Sequence, residues 1–181
     1  MLFHGVMLRL LILLFFFWGA PAMAQPQALS IPAHPAEQAA NGPAVLDAML
    51  WQPAGRGPHP AIILLHGCAG MRNRAGQPFP RDTDWAQRLS RFGYLVLQVD
   101  SLTPRGESSL CGQGNDRRIR VSVERARDAY AALLFLQARS DVKPDRIALM
   151  GWSNGGGTVL WTLGQDNRAR PAGLRHDFAA A

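Results

Sequence analysis

Ile147-Ala148-Leu149-Met150-Gly151-Trp152-Ser153-Asn154-Gly155-Gly156-Gly157-Thr158-Val159-Leu160-Trp161 passes from an unbroken apolar run, through a serine set among glycines, into a segment able to start a helix. The centre fits G-x-S-x-G, and the strand-turn-helix setting is what gives that short pattern meaning. A serine hydroxyl is a weak nucleophile. It must stand on a sharp turn, open to a base, beside backbone N–H groups that can receive an oxyanion. Gly151 and Gly155 permit such a turn. Ser153 is therefore the candidate nucleophile and Asn154 a candidate oxyanion donor through its backbone N–H. A capping serine in a glycine-rich turn is the plainer alternative.

Outward from this stretch, Ala61 to Leu65 and Tyr94 to Val99 are further continuous apolar runs, ending at His66-Gly67 and Asp100, and Val45 to Trp51 can form another strand. Runs apolar at every position suit strands covered on both faces, as in a parallel sheet. Trp85 to Arg91 and Val121 to Arg139 fall between the strands, the latter with Val123, Ala126, Tyr130, Leu133 and Gln137 at helical spacing. The alternation predicts an α/β fold with a mostly parallel sheet and helices on both faces.

His66-Gly67-Cys68-Ala69-Gly70 follows an early strand, where α/β-hydrolases place the loop that donates the second oxyanion N–H. Cys68 is that candidate. His66 reads as a brace for the loop, because a triad histidine in this fold comes after the serine. Cys68 and Cys111 are the only cysteines. If the chain leaves the reducing cytosol they are a candidate disulfide, with two small buried thiols as the alternative. Their spacing matches no zinc or redox motif.

Export is expected from the first 24 residues. Arg9 precedes the apolar run Leu10 to Trp18, and Ala22-Met23-Ala24 has the small residues of a cleavage site, so residues 1–24 read as a signal peptide of a periplasmic or secreted protein. The segment Leu10 to Ala24 is shorter than the roughly 20 residues a spanning helix needs, so no stable membrane span is expected after cleavage. Residues 25–43, with Pro26, Pro32, Pro35 and Pro43, read as an Ala/Pro-rich extended leader, and residues 44–181 as the domain. Composition is that of a globular protein: 181 residues, 48% hydrophobic and 18% charged. The net charge of +6 comes from scattered arginines, with Lys143 the sole lysine, which argues against a nucleic-acid surface. A dinucleotide site is disfavoured too. Gly151 to Gly157 lacks G-x-G-x-x-G, and no acidic residue follows at the right distance on a second strand.

Leu64 to Gly70, Gly93 to Leu97 with Asp100 to Gly106, and Arg146 to Gly156 together resemble the dienelactone hydrolase family of the α/β-hydrolase superfamily, over roughly Val45 to the C-terminus. The resemblance implies an eight-stranded sheet and cleavage of a small-molecule ester or lactone through an acyl-enzyme, with no metal and no cofactor. It also implies Arg105 as the partner of a substrate carboxylate, a surface arginine being the alternative.

One departure stands out. The fold's order is nucleophile, acid, histidine, yet beyond Ser153 the sequence offers only Asp166, His176 and Asp177, with His176 directly before Asp177. Asp177 to Ala181 looks like the opening of the next strand. The expectation is a sheet lacking its last strands, with the triad acid and histidine missing and an unpaired edge at Phe178 that favours self-association. Two readings follow: a serine hydrolase incomplete as it stands, or an exported, non-catalytic binding protein that keeps the fold.

Overall fold

The computed structural model describes residues 25–114, 117–165 and 167–181. The expected signal peptide lies outside the described residues, as does Asp166. Among those described, no helix is long and apolar enough to cross a membrane.

Five strands form one sheet: β1 (Gln27–Pro32), β2 (Val45–Trp51), β3 (His59–Leu65), β4 (Leu95–Asp100) and β5 (Val142–Gly151), in the order β1-β2-β4-β3-β5. β2 runs antiparallel to both of its neighbours, β1 and β4. β3 pairs in parallel with β4 on one side and β5 on the other. The apolar runs at 61–65 and 95–99 thus occupy the centre, where every residue is enclosed. Ile63, Leu65, Leu97, Val99 and Leu149 face one side, packed with the buried face of α3 (Glu124–Gln137). Leu64, Val96 and Trp51 face the other, with Ala86 of α2 (Pro80–Arg91). Helices therefore cover both faces, and α4 (Asn154–Thr162) follows β5 directly.

Three elements differ from the sequence expectation. The leader is part of the fold: β1 pairs along its whole length with β2, Ile31 is fully buried, and a short helix α1 (Pro35–Ala39) follows. Its prolines suit these places, since Pro32 ends an edge strand and Pro35 opens a helix where an N–H would lack a partner. α2 starts at Pro80, well before Trp85, for the same reason. α3 is shorter than its apolar pattern, with Val123 at its N-cap. Gln137 contributes a hydrogen bond instead of apolar packing, donating to the carbonyl of His176 at 2.7 Å.

Residues 178–181 do return to the sheet. The Ala179 amide donates to Ile147 at 2.8 Å and that of Leu149 to Ala180 at 2.9 Å, a parallel bridge beside β5. Phe178 is not the uncovered edge expected. It packs on the core, with its ring centroid 5.3 Å from that of Tyr130.

Candidate active site

Ser153 occupies the turn between β5 and α4 with φ 52° and ψ −116°. A left-handed φ in a residue with a side chain is strained, and such strain at a turn is a mark of a functional position. The turn is this tight because its glycines touch backbone. A Cβ on Gly151 would lie 2.5 Å from the Gly155 carbonyl, and one on Gly155 would lie 2.2 Å from the carbonyl oxygen of Leu65. α4 therefore starts directly against the end of β3, and Ser153 is left exposed above it.

The loop after β3 meets the serine from the other side. A Cβ on Gly67 would sit 3.9 Å from Cβ of Ser153. A cavity of about 340 Å³ opens there, lined by Gly67, Cys68, Gly70, Phe79, Arg81 and Ser153 among others. The Cys68 and Asn154 amides, expected as oxyanion donors, donate to no other group among the described residues, whereas the next two along α4 that are engaged, Gly155 and Gly157, donate to Trp152 and Ser153. Asn154 also opens α4, whose dipole places partial positive charge at this end.

His66 is a brace. It is fully buried, Nε2 accepts from the Ser101 amide at 3.1 Å, and Nδ1 lies 2.7 Å from the Gly67 carbonyl. Because Ser101 supplies the proton to Nε2, the imidazole proton must sit on Nδ1. Burial first, and then the nearby Arg125 cation, push its pKa down to about 3, so the ring stays neutral. Cys68 and Cys111 form a disulfide.

Arg105 is not in the cavity. All five of its N–H donors are taken: Nε and Nη2 by Glu37, Nη1 and Nη2 by Asp128, and Nη1 by the Ser101 carbonyl at 2.7 Å. Arg127 adds a second contact to Glu37 at 3.1 Å. This balanced cluster of two arginines and two carboxylates ties α1 to α3, which explains why the leader is ordered. An arginine so engaged has nothing left to offer a ligand. The arginine that does line the cavity is Arg81, with its guanidinium 4.9 Å from the Trp152 ring centroid. Nε and Nη2 bind the buried carboxylate of Asp82, each at 2.7 Å, and among the described residues Nη1 has no hydrogen-bond partner.

Arg125, on α3, is the residue that sequence reading missed most completely. It is fully buried behind the elbow, donating to the His66 carbonyl at 2.7 Å and to the side-chain oxygen of Asn154. One cation thereby holds both the loop after β3 and the start of α4. Burial lowers its pKa to about 10, which still leaves it charged at neutral pH. Among the described residues no histidine or carboxylate is hydrogen-bonded to Ser153. Asp177 is engaged with Arg170 at 2.6 Å, and the main-chain carbonyl of His176 accepts from Gln137. No group of three or more His, Cys, Asp or Glu among the described residues is arranged to hold a metal ion.

A strained serine between a parallel strand and a helix, facing two unengaged amides, places the chain in the α/β-hydrolase superfamily. Residues 82–178, more than half of the chain, match the prolyl oligopeptidase family, and the chain belongs to that family. It is 28% identical over 128 residues to YtaP of Bacillus subtilis, named as a hydrolase, covering 63% of this chain and 42% of that one. It is 31% identical over 121 residues to the quorum-quenching protein AidA of Acinetobacter baumannii, covering 67% and 36%. Among solved structures, dipeptidyl peptidase 4 of Porphyromonas gingivalis superposes with a TM-score of 0.57 at 23% identity, covering 81% of this chain and 20% of that one. The carboxylesterase EstE1 from a metagenomic library gives 0.50 at 26% identity, covering 76% and 40%. The chain thus spans less than half the length of each of these proteins. The resemblance to dienelactone hydrolases rested on residues that build the elbow and the oxyanion loop, and such residues are common to hydrolase families.

Proposed function

We propose that this chain carries the nucleophile half of an exported serine hydrolase that cleaves a carboxylic ester or lactone of the dienelactone type through an acyl-enzyme. The observation that carries the reading is Ser153 at φ 52°, exposed in a cavity with the unengaged Cys68 and Asn154 amides beside it. Ser153 Oγ attacks the acyl carbon, and the two N–H groups receive the charge that develops on the carbonyl oxygen. One such donor is worth about 3 kcal/mol of transition-state stabilisation. Arg81, with Nη1 unengaged, would hold a carboxylate or carbonyl oxygen of the acyl part. Among the described residues no histidine or carboxylate is hydrogen-bonded to Ser153, and His66 is buried with both of its nitrogens occupied. Turnover by these residues alone would therefore be slow.

A second reading is a binding protein that retains the fold without turnover. A fluorophosphonate probe separates the two. Labelling that maps to Ser153 and vanishes in Ser153→Ala supports the nucleophile, and absence of labelling in the parent chain favours the binding reading.

A further inference from the structure

We infer that the Cys68–Cys111 disulfide is a positioning clamp for the oxyanion site, so that the oxidation state of this one bond sets the reactivity of Ser153. The inference rests on the nucleophile reading above and adds to it a control over its geometry.

Cys68 supplies one of the two oxyanion amides, and its other groups are all held by one segment, residues 107–114. The Leu110 amide donates to the Cys68 carbonyl at 2.7 Å, and Ser109 Oγ to the same oxygen at 3.4 Å. A Cβ on Gly70 would lie 2.8 Å from the Ser108 carbonyl oxygen, so the loop and the segment are in backbone contact. Cys68 also packs on the buried trio Leu102, Leu110 and Ile119. With side chain and carbonyl both tethered, the backbone that carries the Cys68 N–H is held in place beside the cavity.

Beyond these contacts the segment is anchored by the Glu107 amide, which donates to the Leu102 carbonyl at 3.1 Å. Its internal hydrogen bonds are local, from the Cys111 amide to Ser109 Oγ at 3.1 Å and from Gln113 to Ser109 and Leu110. Residues 111–114 are exposed. The disulfide is thus the covalent tie between this segment and the catalytic loop, and the exposure of Cys111 opens it to reagents. Reduction by a dithiol breaks the S–S bond. Two electrons and two protons pass from the reductant, giving two cysteine thiols and the reductant's own disulfide. Air oxidation reverses the change.

Hydrogen exchange read by mass spectrometry tests the clamp on the whole chain without needing turnover, comparing the oxidised protein, the protein in dithiothreitol, and Cys111→Ser. Exchange in residues 66–71 and 107–114 should rise at least tenfold in the last two, with β3, β4 and β5 unchanged. Fluorophosphonate labelling of Ser153 should slow at least fivefold, and dithiothreitol should have no further effect on Cys111→Ser. Unchanged exchange in residues 66–71 overturns the inference. So does a rise shared by the central strands, which would make the bond a general stabiliser, and so does faster local exchange with an unchanged labelling rate. If Ser153 never labels, the nucleophile reading fails and the exchange of residues 66–71 alone decides the clamp.

Discussion

Arg125 donates a 2.7 Å hydrogen bond to the main-chain carbonyl of His66 from beneath the elbow, with its side chain entirely excluded from solvent. The carbonyl it holds is the one that leads into Gly67 and Cys68, and its other terminal nitrogen holds Asn154. Replacing Arg125 by Met removes this donor from the buried His66 carbonyl and the part-buried Asn154 side-chain oxygen. We expect a loss of about 3 kcal/mol of stability in urea titration. Arg125→Lys should recover part of that stability, while labelling of Ser153 stays slow, because one ammonium cannot span both acceptors.

Arg105 is bound by Glu37 and Asp128, whereas Arg81 lines the cavity beside Ser153. Arg105→Met strands the fully buried Asp128 and should cost about 3 to 5 kcal/mol in chemical denaturation. Arg81→Met leaves the buried carboxylate of Asp82 with only a 3.4 Å contact from Gln98 and should cost about 1 to 3 kcal/mol in the same titration. In a binding titration followed by tryptophan fluorescence, it should weaken a carboxylate-bearing ester about tenfold and leave its neutral amide unaffected. Equal weakening of both ligands would remove Arg81 from substrate recognition.

The glycines of the elbow are not equivalent. Gly155→Ala forces a methyl group into the Leu65 and His66 carbonyls, at 2.2 and 2.7 Å, and should cost about 3 kcal/mol or more. Gly157→Ala, in the same helix, would meet only a Val121 methyl at 3.8 Å. It should stabilise by about 0.5 to 1 kcal/mol through helix propensity. Thermal unfolding of the two variants gives shifts of opposite sign.

His66 makes stability depend on acid. Its pKa is about 3 in the folded chain against 6.5 for an ordinary histidine, so between these values the unfolded chain binds the proton and the folded one does not. The contribution is complete above pH 6.5 and is lost as the pH falls toward 3, at up to about 1.4 kcal/mol per pH unit. His34, also lowered by burial, acts in the same direction. Urea titrations between pH 7 and 5 should show stability falling with pH, with a shallower slope in His66→Gln. An identical slope in the variant would mean that His66 titrates normally when folded.

Much of this protein is legible in its residues taken in order. Continuous apolar runs at 61–65 and 95–99 announce strands enclosed on both faces, and Gly151, Ser153 and Gly155 announce a turn, because only glycine tolerates the backbone contacts that a strand-to-helix elbow requires. These are local constraints, and local constraints leave a mark on the sequence. The leader was obscured by its prolines, which end and open elements there without breaking them.

Which polar side chains meet was decided only by the tertiary structure. Glu37 and Arg105 are 68 positions apart, and His66 and Arg125 are 59 apart. Nothing in the neighbourhood of an arginine tells whether its guanidinium is engaged by buried carboxylates or left facing a cavity. Once α1 and α3 pack beside the loop after β4, Asp128 and Glu37 must be neutralised, and Arg105 reaches both at 2.9 Å. The sequence alone determined where the strand-to-helix turn with Ser153 stands; the packing of distant elements determined which arginines are engaged by buried carboxylates and which one lines the cavity beside it.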